Sequence, residues 1–265
     1  MWEFVDYVYV LCLEGETGRH DAMTRHLLSV GFRTSQIVLF IRPGKRYDND
    51  VGNKVISLFD VMFNYPSLVN EVSEKIATDH FFMVEEALNH SETKPFARIM
   101  FLEDDARFLP FSKNITRLGN FVRYSSYRWD QILLGYCPLS CSFFLTPNIV
   151  RVGNTRLRHA SILSVEGMRK IIEFKQKEFG RRPCPFDIVG NRIPHFRKLA
   201  VFPMICFQME EPALYRRIVH NMCYPLPFSE ICQCLEICCV LCPLWVLLGT
   251  VIGMMMVWKK TIKIE

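Results

Sequence analysis

The sequence has no cluster of basic residues. Its formal net charge is +5 over 265 residues, and its lysines and arginines are scattered along the chain. Proteins that bind nucleic acid usually concentrate these side chains on one face, because the phosphate backbone is recognised electrostatically. The sequence therefore predicts no nucleic acid partner.

Internal repeats and low-complexity tracts are also missing, while 50% of the residues are hydrophobic. A chain of this composition can bury a sizeable core, which excludes disorder for most of its length. With the last ~35 residues set aside, the remaining length is typical of a single α/β enzyme domain. We therefore expect one globular body over residues 1–221.

The cysteines of this body lack the spacing of zinc ligands. Cys137 and Cys141 have no second Cys or His pair at a suitable distance, so buried reduced thiols are the better interpretation. Six further cysteines crowd between Cys223 and Cys242, before and within the final apolar run. Juxtamembrane cysteines are often acylated, and small thiols also pack well in membrane helices. Both interpretations of this second group stay open.

One long uncharged segment is present near the C-terminal end. No residue from Ile237 to Trp258 is charged, and a helix of that length reaches roughly 33 Å, enough to cross a hydrocarbon core of about 30 Å. Lysines follow it directly, as expected for cationic anchors at the interface. We predict a linker over residues 222–236, a transmembrane helix over 237–258 and a basic tail over 259–265, with membrane lipid as a partner.

The N-terminal end lacks the features of a secretory signal. Acidic residues occur between Met1 and Asp6, where a basic region is expected, and the apolar run from Tyr7 to Leu13 is short. This pattern favours a C-terminal membrane anchor with the N-terminal body in the cytosol. The lysines after the span favour a cytosolic tail by the positive-inside rule, so the orientation stays open.

Strands and helices are predicted to alternate along the body. Apolar runs indicate strands at Val5 to Leu13, Gln36 to Ile41, Ala97 to Leu102, Trp129 to Gly135, Ser161 to Leu163 and Leu199 to Phe207. Helical spacing indicates a helix with Met23, Leu27 and Val30 that Gly31 closes, a mostly helical stretch from Ser57 to Asn89, and a helix from Val165 to Phe179. This alternation predicts an α/β fold with a doubly wound, largely parallel sheet, in which ligands bind beyond the carboxyl ends of the strands.

An acidic triplet follows the third of these strands. Glu103, Asp104 and Asp105 are consecutive, so their carboxylates repel one another and a nearby cation would offset the charge. Mg²⁺ and Mn²⁺ prefer such oxygens and bind through one or two side chains plus a substrate diphosphate. The pattern favours a divalent metal site at this triplet. A solvated acidic turn is the alternative, and for an isolated triplet it is the better one.

The triplet is part of a series of segments that occur in a fixed order. They are VYVLCLEGETGR from Val8, RIMFLEDDARF from Arg98, RWDQILLGY from Arg128, HASILSVEGMRKII from His159, PFDIVG ending at Gly190, and FPMICFQ from Phe202. In this order they resemble glycosyltransferase family 25, the group that contains bacterial lipopolysaccharide glycosyltransferases and the procollagen galactosyltransferases. The resemblance covers most of residues 5–210.

The resemblance implies a GT-A type, Rossmann-like fold and an inverting transfer of a hexose, galactose or glucose, from a UDP-sugar to a glycan or protein hydroxyl. It also implies a divalent cation, Mn²⁺ or Mg²⁺, held by the triplet. Arg19 falls where a family arginine lies, and it is a candidate for nucleotide or diphosphate contacts together with His80 and Asp104. Asp187, in a proline-rich turn, is the candidate for the base that an acceptor hydroxyl needs.

One stretch departs from the family's pattern. Where the family usually has Gly-Cys followed by Ser-His, this chain has Ala77, Thr78, Asp79 and His80. A catalytically inactive, membrane-bound interaction module is therefore an alternative, and the retained triplet argues against it. A metal-dependent phosphohydrolase is a third interpretation, but the sequence offers neither a clear second acidic cluster nor a conspicuous nucleophile. His159 is a further site candidate, although a lone histidine is more often structural.

Overall fold

The computed structural model describes residues 1–43, 71–91, 94, 97–108, 112–138, 142–181, 183–202 and 204–208. The predicted linker 222–236, transmembrane helix 237–258 and tail 259–265 lie outside these residues, as does the stretch 57–70 of the predicted helical region. Among the helices that are described, none combines the length and the apolar character that spanning a bilayer requires.

In this part of the chain, the predicted alternation of strands and helices holds only in part, because four strands follow one another without a helix between residues 131 and 164. The strands are β1 (Tyr7–Leu13), β2 (Ile37–Arg42), β3 (Arg98–Glu103), β4 (Ala106–Phe108), β5 (Gln131–Pro138), β6 (Ser142–Thr146), β7 (Ile149–Val152), β8 (Thr155–Ser164), β9 (Lys198–Val201) and β10 (Cys206–Gln208). The helices are α1 (Thr17–Ser29), α2 (Glu71–His90), α3 (Ser112–Tyr124), α4 (Val165–Phe174) and α5 (Val189–Arg192). A π-helical turn, Lys175–Phe179, extends α4, and a 3₁₀ turn, Phe186–Ile188, precedes α5.

Eight of the strands form one mixed sheet in the order β2-β1-β3-β8-β5-β9-β7-β6. β1 is parallel to β2 and β3, and β5 is parallel to β9. The pairs β3 with β8, β5 with β8, β6 with β7 and β7 with β9 are antiparallel. The α/β class is confirmed, but the prediction of a largely parallel sheet is wrong.

A short connection explains the antiparallel pair of β6 and β7. Only Pro147 and Asn148 join these two strands. A parallel pair needs a crossover of about a dozen residues or more, which this link cannot provide. The strand expected at Ser161 to Leu163 is the end of the longer β8, which lies between β3 and β5.

The central strands are buried on both faces. On β1, Val8, Val10 and Cys12 belong to one apolar cluster, which includes Met23 of α1. Tyr9, between them in sequence, belongs to the other cluster, which contains residues of α2 and α4. Successive side chains of a strand point to opposite faces, so one uninterrupted apolar run fills both layers. The helices therefore cover the sheet from two sides.

Two predicted elements end differently from expectation. The helix expected from Val165 to Phe179 is α-helical to Phe174 and then widens into the π-helical turn. The strand expected from Leu199 to Phe207 is divided into β9 of the main sheet and β10, which pairs with β4 in a two-stranded sheet. The first helix is confirmed, since α1 ends before Gly31, whose φ of 97° suits glycine.

Candidate functional site

Three neighbouring parallel strands end at one edge of the sheet. Glu103 of β3 lies opposite Leu11 of β1, and Arg42 of β2 lies opposite Leu13. The carboxyl ends of β1, β2 and β3 are therefore together, and the acidic triplet follows one of them. In α/β sheets this is the edge where ligands bind.

Arg19 contacts the triplet directly. Its Nη2 donates a hydrogen bond to Oδ1 of Asp104 over 2.7 Å, and the two side chains are only 18% and 15% exposed. Arg19 lies in the first turn of α1, which contains no acidic residue. The helix dipole disfavours a cation at a helix N-terminus. The ion pair with Asp104 compensates for this unfavourable interaction of Arg19. This guanidinium supplies part of the positive charge that the triplet needs.

His80 of α2 faces the first carboxylate of the triplet. Its Nε2 lies 3.8 Å from Oε1 of Glu103, and its Nδ1 lies 2.9 Å from the carbonyl oxygen of Ile76. Because a carbonyl oxygen only accepts, Nδ1 carries a proton, and in the neutral ring Nε2 then holds a lone pair. A lone pair and a carboxylate face each other across this gap. A proton or a cation between them is electrostatically favourable.

Asp79, next to His80 on α2, contacts the end of β2. Asp79 accepts a hydrogen bond from Nε of Arg42 over 2.8 Å, at the end of β2. The same guanidinium lies 4.9 Å from the ring centroid of Phe82. Asp79 belongs to the stretch that departs from the family's pattern, and here it fixes α2 against the sheet edge. No local pattern in the sequence reveals this pair, because Arg42 and Asp79 are far apart in the chain.

The turn that carries Asp187 packs beside His80. The ring of Phe186 stacks on the imidazole of His80 with centroids 4.6 Å apart, and it meets Phe81 edge-on at 5.4 Å. Asp187 itself is half-buried. The structure thus brings this turn to the helix face that approaches Glu103.

His159 is buried at a different place, on β8. Its Nε2 donates to the carbonyl oxygen of Cys206 over 3.2 Å, which joins the main sheet to β10. A Cβ added to Gly135 would overlap this imidazole. These contacts support a structural role for His159.

The thiol of Cys12 lies at the same edge but is not a nucleophile. Burial, together with the charge of Asp104, raises its pKa to about 12, although Arg19 acts in the opposite direction. Cys12, Cys184 and Cys206 are buried and form no disulfide, as predicted for cysteines of the body. Since the thiolate is the reactive form, Cys12 is inert near neutral pH.

The carboxylates of the triplet suit a hard divalent cation whose remaining ligands come from a substrate. Within the described ranges, no group of three or more His, Cys, Asp and Glu side chains is arranged to hold a metal ion. Mg²⁺ and Mn²⁺ commonly take one or two carboxylates plus phosphate oxygens, so a smaller donor set is sufficient. Glu103 is 33% exposed beside His80, and Asp104 and Asp105 follow it. The donor chemistry therefore fits, with the phosphates of a substrate as the remaining ligands.

No protein-family model matches the chain, and no curated protein matches it. Among solved structures, it is similar to a glycosyltransferase involved in the glycosylation of the major capsid of PBCV-1, at 11% identity and a TM-score of 0.39, over 82% of this chain and 100% of that one. It is also similar to UDP-glucose pyrophosphorylase complexed with UDP-glucose, at 7% identity and a TM-score of 0.37, over 74% of this chain and 90% of that one. Similarities this low do not assign a family, and the resemblance to family 25 stays a prediction.

Proposed function

We propose that the chain transfers a hexose, galactose or glucose, from a UDP-sugar to a glycan or protein hydroxyl, with inversion at the sugar. The observation that carries this proposal is the convergence of Arg19 with Asp104 and of His80 with Glu103 at the carboxyl ends of β1 to β3. Charges of both signs then meet at one edge of the sheet. A diphosphate and a cation together are the ligand that such an arrangement suits.

The leaving group determines what this edge must provide. Departure of UDP places negative charge on its diphosphate, and fixed positive charge stabilises that state. A divalent cation, when bound, supplies such charge, and Glu103, Asp104 and Asp105 are the residues that would hold it. Arg19 adds a planar guanidinium whose geometry matches phosphate oxygens. His80 and Asp104 complete the proposed contacts to the donor.

The acceptor side needs a base. In an inverting displacement the acceptor oxygen forms a bond to the anomeric carbon while the bond to UDP breaks, and UDP leaves with the electron pair. The proton of the acceptor hydroxyl passes to the carboxylate of Asp187. The packing of Phe186 on His80 supports this assignment, because it holds the turn of Asp187 close to the donor edge.

The contact between Arg19 and Asp104 also favours a second candidate, a catalytically inactive interaction module. An ion pair at 2.7 Å could simply fix the turn after β3, with no donor bound. The two candidates differ in one measurable property. An enzyme consumes UDP-galactose or UDP-glucose in the presence of Mn²⁺, whereas a module does not.

Donor hydrolysis by the purified chain, followed by UDP release with and without Mn²⁺, tests the proposal. We expect metal-dependent release with at least one UDP-hexose, which E103Q abolishes. D187N is expected to lower transfer to an acceptor while the affinity for UDP stays the same. E173Q is the matched control, because Glu173 is an exposed carboxylate on α4 that pairs with Lys177. Absence of UDP release with every UDP-hexose, or equal activity of E103Q and E173Q, would contradict an enzymatic role.

We also propose that residues 237–258 anchor a catalytic body, residues 1–221, on the cytosolic side of a membrane. The uncharged run and the lysines that follow it support this arrangement. Deleting residues 231–265 is expected to give a folded protein that no longer sediments with membranes. Aggregation of the shortened chain would show that the anchor belongs to the fold.

A further inference from the structure

A separate cavity lies far from the edge that carries Arg19. It has a volume of about 490 Å³ and is lined by residues of β6, β7, β9 and α5. These strands are at the opposite end of the sheet from β2. The volume falls within the range of small-molecule sites, about 300 to 1,000 Å³.

The lining of this cavity includes two cationic side chains and one histidine. Arg151 comes from β7, Lys198 from β9, and His195 from the turn between α5 and β9. None of the described residues that line it is Asp or Glu. A concave surface of one charge sign concentrates field lines and attracts ions of the opposite sign. The cavity therefore suits an anion.

Lys198 is held in place inside the cavity wall. Its side chain is buried, with the residue only 5% exposed, and its Nζ donates to Oδ1 of Asn191. Asn191 is itself fixed by Thr155, whose backbone carbonyl accepts from Nδ2 over 2.9 Å and whose backbone N–H donates to Oδ1 over 3.3 Å. The contact with this amide holds the ammonium in a defined position. An anion that reaches it would interact at a buried position, where charge interactions are stronger than in water.

The backbone of His195 provides an independent observation. The φ angle of His195 is 56°, in the left-handed region. Among the residues that the structure describes, no other non-glycine residue has a positive φ. Such a conformation costs of order 1 to 3 kcal/mol and persists where the surrounding structure imposes it, often at ligand sites. The exposed side chain of His195 lies at the cavity wall. The strain is therefore located where a ligand would bind.

We propose that this cavity binds a small molecule that carries a phosphate or carboxylate group. Lys198 and Arg151 hold the anionic group, and the ring of Phe143, which is 62% exposed, gives an apolar surface for the rest of the ligand. The site is distinct from the proposed donor edge and does not depend on the function proposed there. Because α5 follows directly after the turn of Asp187, a ligand here would contact the same short segment.

Three probes that share one sugar ring test the charge requirement on the full chain. Glucose 6-phosphate and glucuronate carry an anionic group, and glucose does not. We expect the two anions to raise the melting temperature and to bind in calorimetry, with an affinity that falls as salt rises. Glucose is expected to do neither. Equal effects of glucose and glucose 6-phosphate, or no effect of any probe, would overturn the proposal. If glucuronate binds and glucose 6-phosphate does not, the ligand carries a carboxylate. If glucose 6-phosphate binds and glucuronate does not, the ligand carries a phosphate.

Variants locate the site. R151Q removes an exposed charge and should fold normally, yet its affinity for glucose 6-phosphate should fall at least about tenfold. R25Q is the matched control, since Arg25 is an exposed arginine of α1. R19Q removes the arginine of the donor edge and should leave this affinity unchanged. If R19Q weakens binding and R151Q does not, the anion binds at the donor edge and the proposal fails, whatever the activity of the chain.

Discussion

The Nη2 atom of Arg19 lies 2.7 Å from Oδ1 of Asp104, although 85 positions separate the two residues in the chain. This contact joins the start of α1 to the turn after β3. Both side chains are less than one fifth exposed. Partial burial strengthens the attraction and limits screening by salt, so the pair contributes more than a surface ion pair.

A double-mutant cycle measures this contribution. R19M and D104N should each lower the free energy of unfolding, measured by urea denaturation. The double variant should lose less than the sum of the two single losses, and the difference, the coupling energy, should be about 1 to 2 kcal/mol. The exposed pair of Arg123 and Glu3, at 3.2 Å, is the control and should show no measurable coupling. Additive effects at Arg19 and Asp104 would show that the contact does not stabilise the fold.

Gly135 should tolerate no side chain. A Cβ at this position would overlap Nε2 of His159 and lie 2.5 Å from the backbone oxygen of Cys206. The imidazole is buried and its neighbour is a backbone carbonyl, so neither group can move away easily. G135A should therefore lower the free energy of unfolding by about 2 to 4 kcal/mol. G18A is the matched control.

Gly18 lies in α1, and a Cβ there would have no atom within 4 Å. Alanine favours helix more than glycine does, so G18A should raise the free energy of unfolding by about 0.5 kcal/mol. Chemical denaturation of the two variants compares them directly. Equal stability of G135A and the parent would mean that β8 and β10 do not pack closely around Gly135.

Local patterns predict much of the first half of the sheet. The apolar runs at β1 and β3 identify strands that are buried on both faces, and the run at β2 identifies a partly buried edge strand. The triplet after β3 marks the carboxyl edge. The spacing of Met23 and Leu27 identifies the buried stripe of α1. Each of these features depends on residues of a single strand or helix, and a local sequence pattern is therefore enough to predict it.

Other features depend on residues that are distant in the chain. The antiparallel insertion of β8 between β3 and β5 follows from pairings that no local pattern encodes. The same holds for the pair of Arg42 and Asp79, and for the pair of Asp130 and Arg197. The two-residue link between β6 and β7 is a local signal for the reversed direction of that pair, since it excludes a crossover.

Asp130 should be important for stability above acidic pH. Its carboxylate is fully buried, accepts from Nη2 and the backbone N–H of Arg197 over 2.7 Å each, and accepts from Lys170 over 3.0 Å. Burial raises the pKa of Asp130, but the hydrogen bonds from Arg197 and Lys170 outweigh it and leave the pKa below the usual 3.8. The stabilisation is therefore complete above pH 3.8 and is lost as the pH falls through the lower, folded-state value.

D130N removes this charge and keeps the size of the side chain. We expect a loss of about 3 kcal/mol in the free energy of unfolding at pH 7, because two cations lose their buried partner. The difference between parent and variant should shrink as the pH falls below 3.8. E173Q, which removes an exposed partner of Lys177, should change the melting temperature little. A difference that stays constant down to pH 2 would show that the charge of Asp130 is not the cause.

His26 should give the fold a second pH dependence, near neutrality. Its Nε2 accepts a hydrogen bond from the backbone N–H of Phe108 over 2.9 Å, so this nitrogen holds a lone pair and the neutral ring carries its proton on Nδ1. Burial lowers the pKa of His26 below the usual 6.5, and the positive charge of Arg107 lowers it further. The contribution of neutral His26 to stability is therefore complete above pH 6.5 and is lost as the pH falls through the folded-state pKa.

H26Q tests this dependence, because a glutamine amide oxygen can accept the same N–H but does not titrate. Between pH 7.5 and pH 5, the parent should lose more unfolding free energy than H26Q, and the difference isolates His26 from the other histidines. H20Q is the control, since the buried ring of His20 contacts the carbonyl oxygen of Leu13 and does not accept the Phe108 N–H. NMR titration of the parent should give His26 a lower pKa than free histidine. Parallel stability curves for the parent and H26Q would contradict the acceptor role of Nε2, because protonation would then cost the fold nothing.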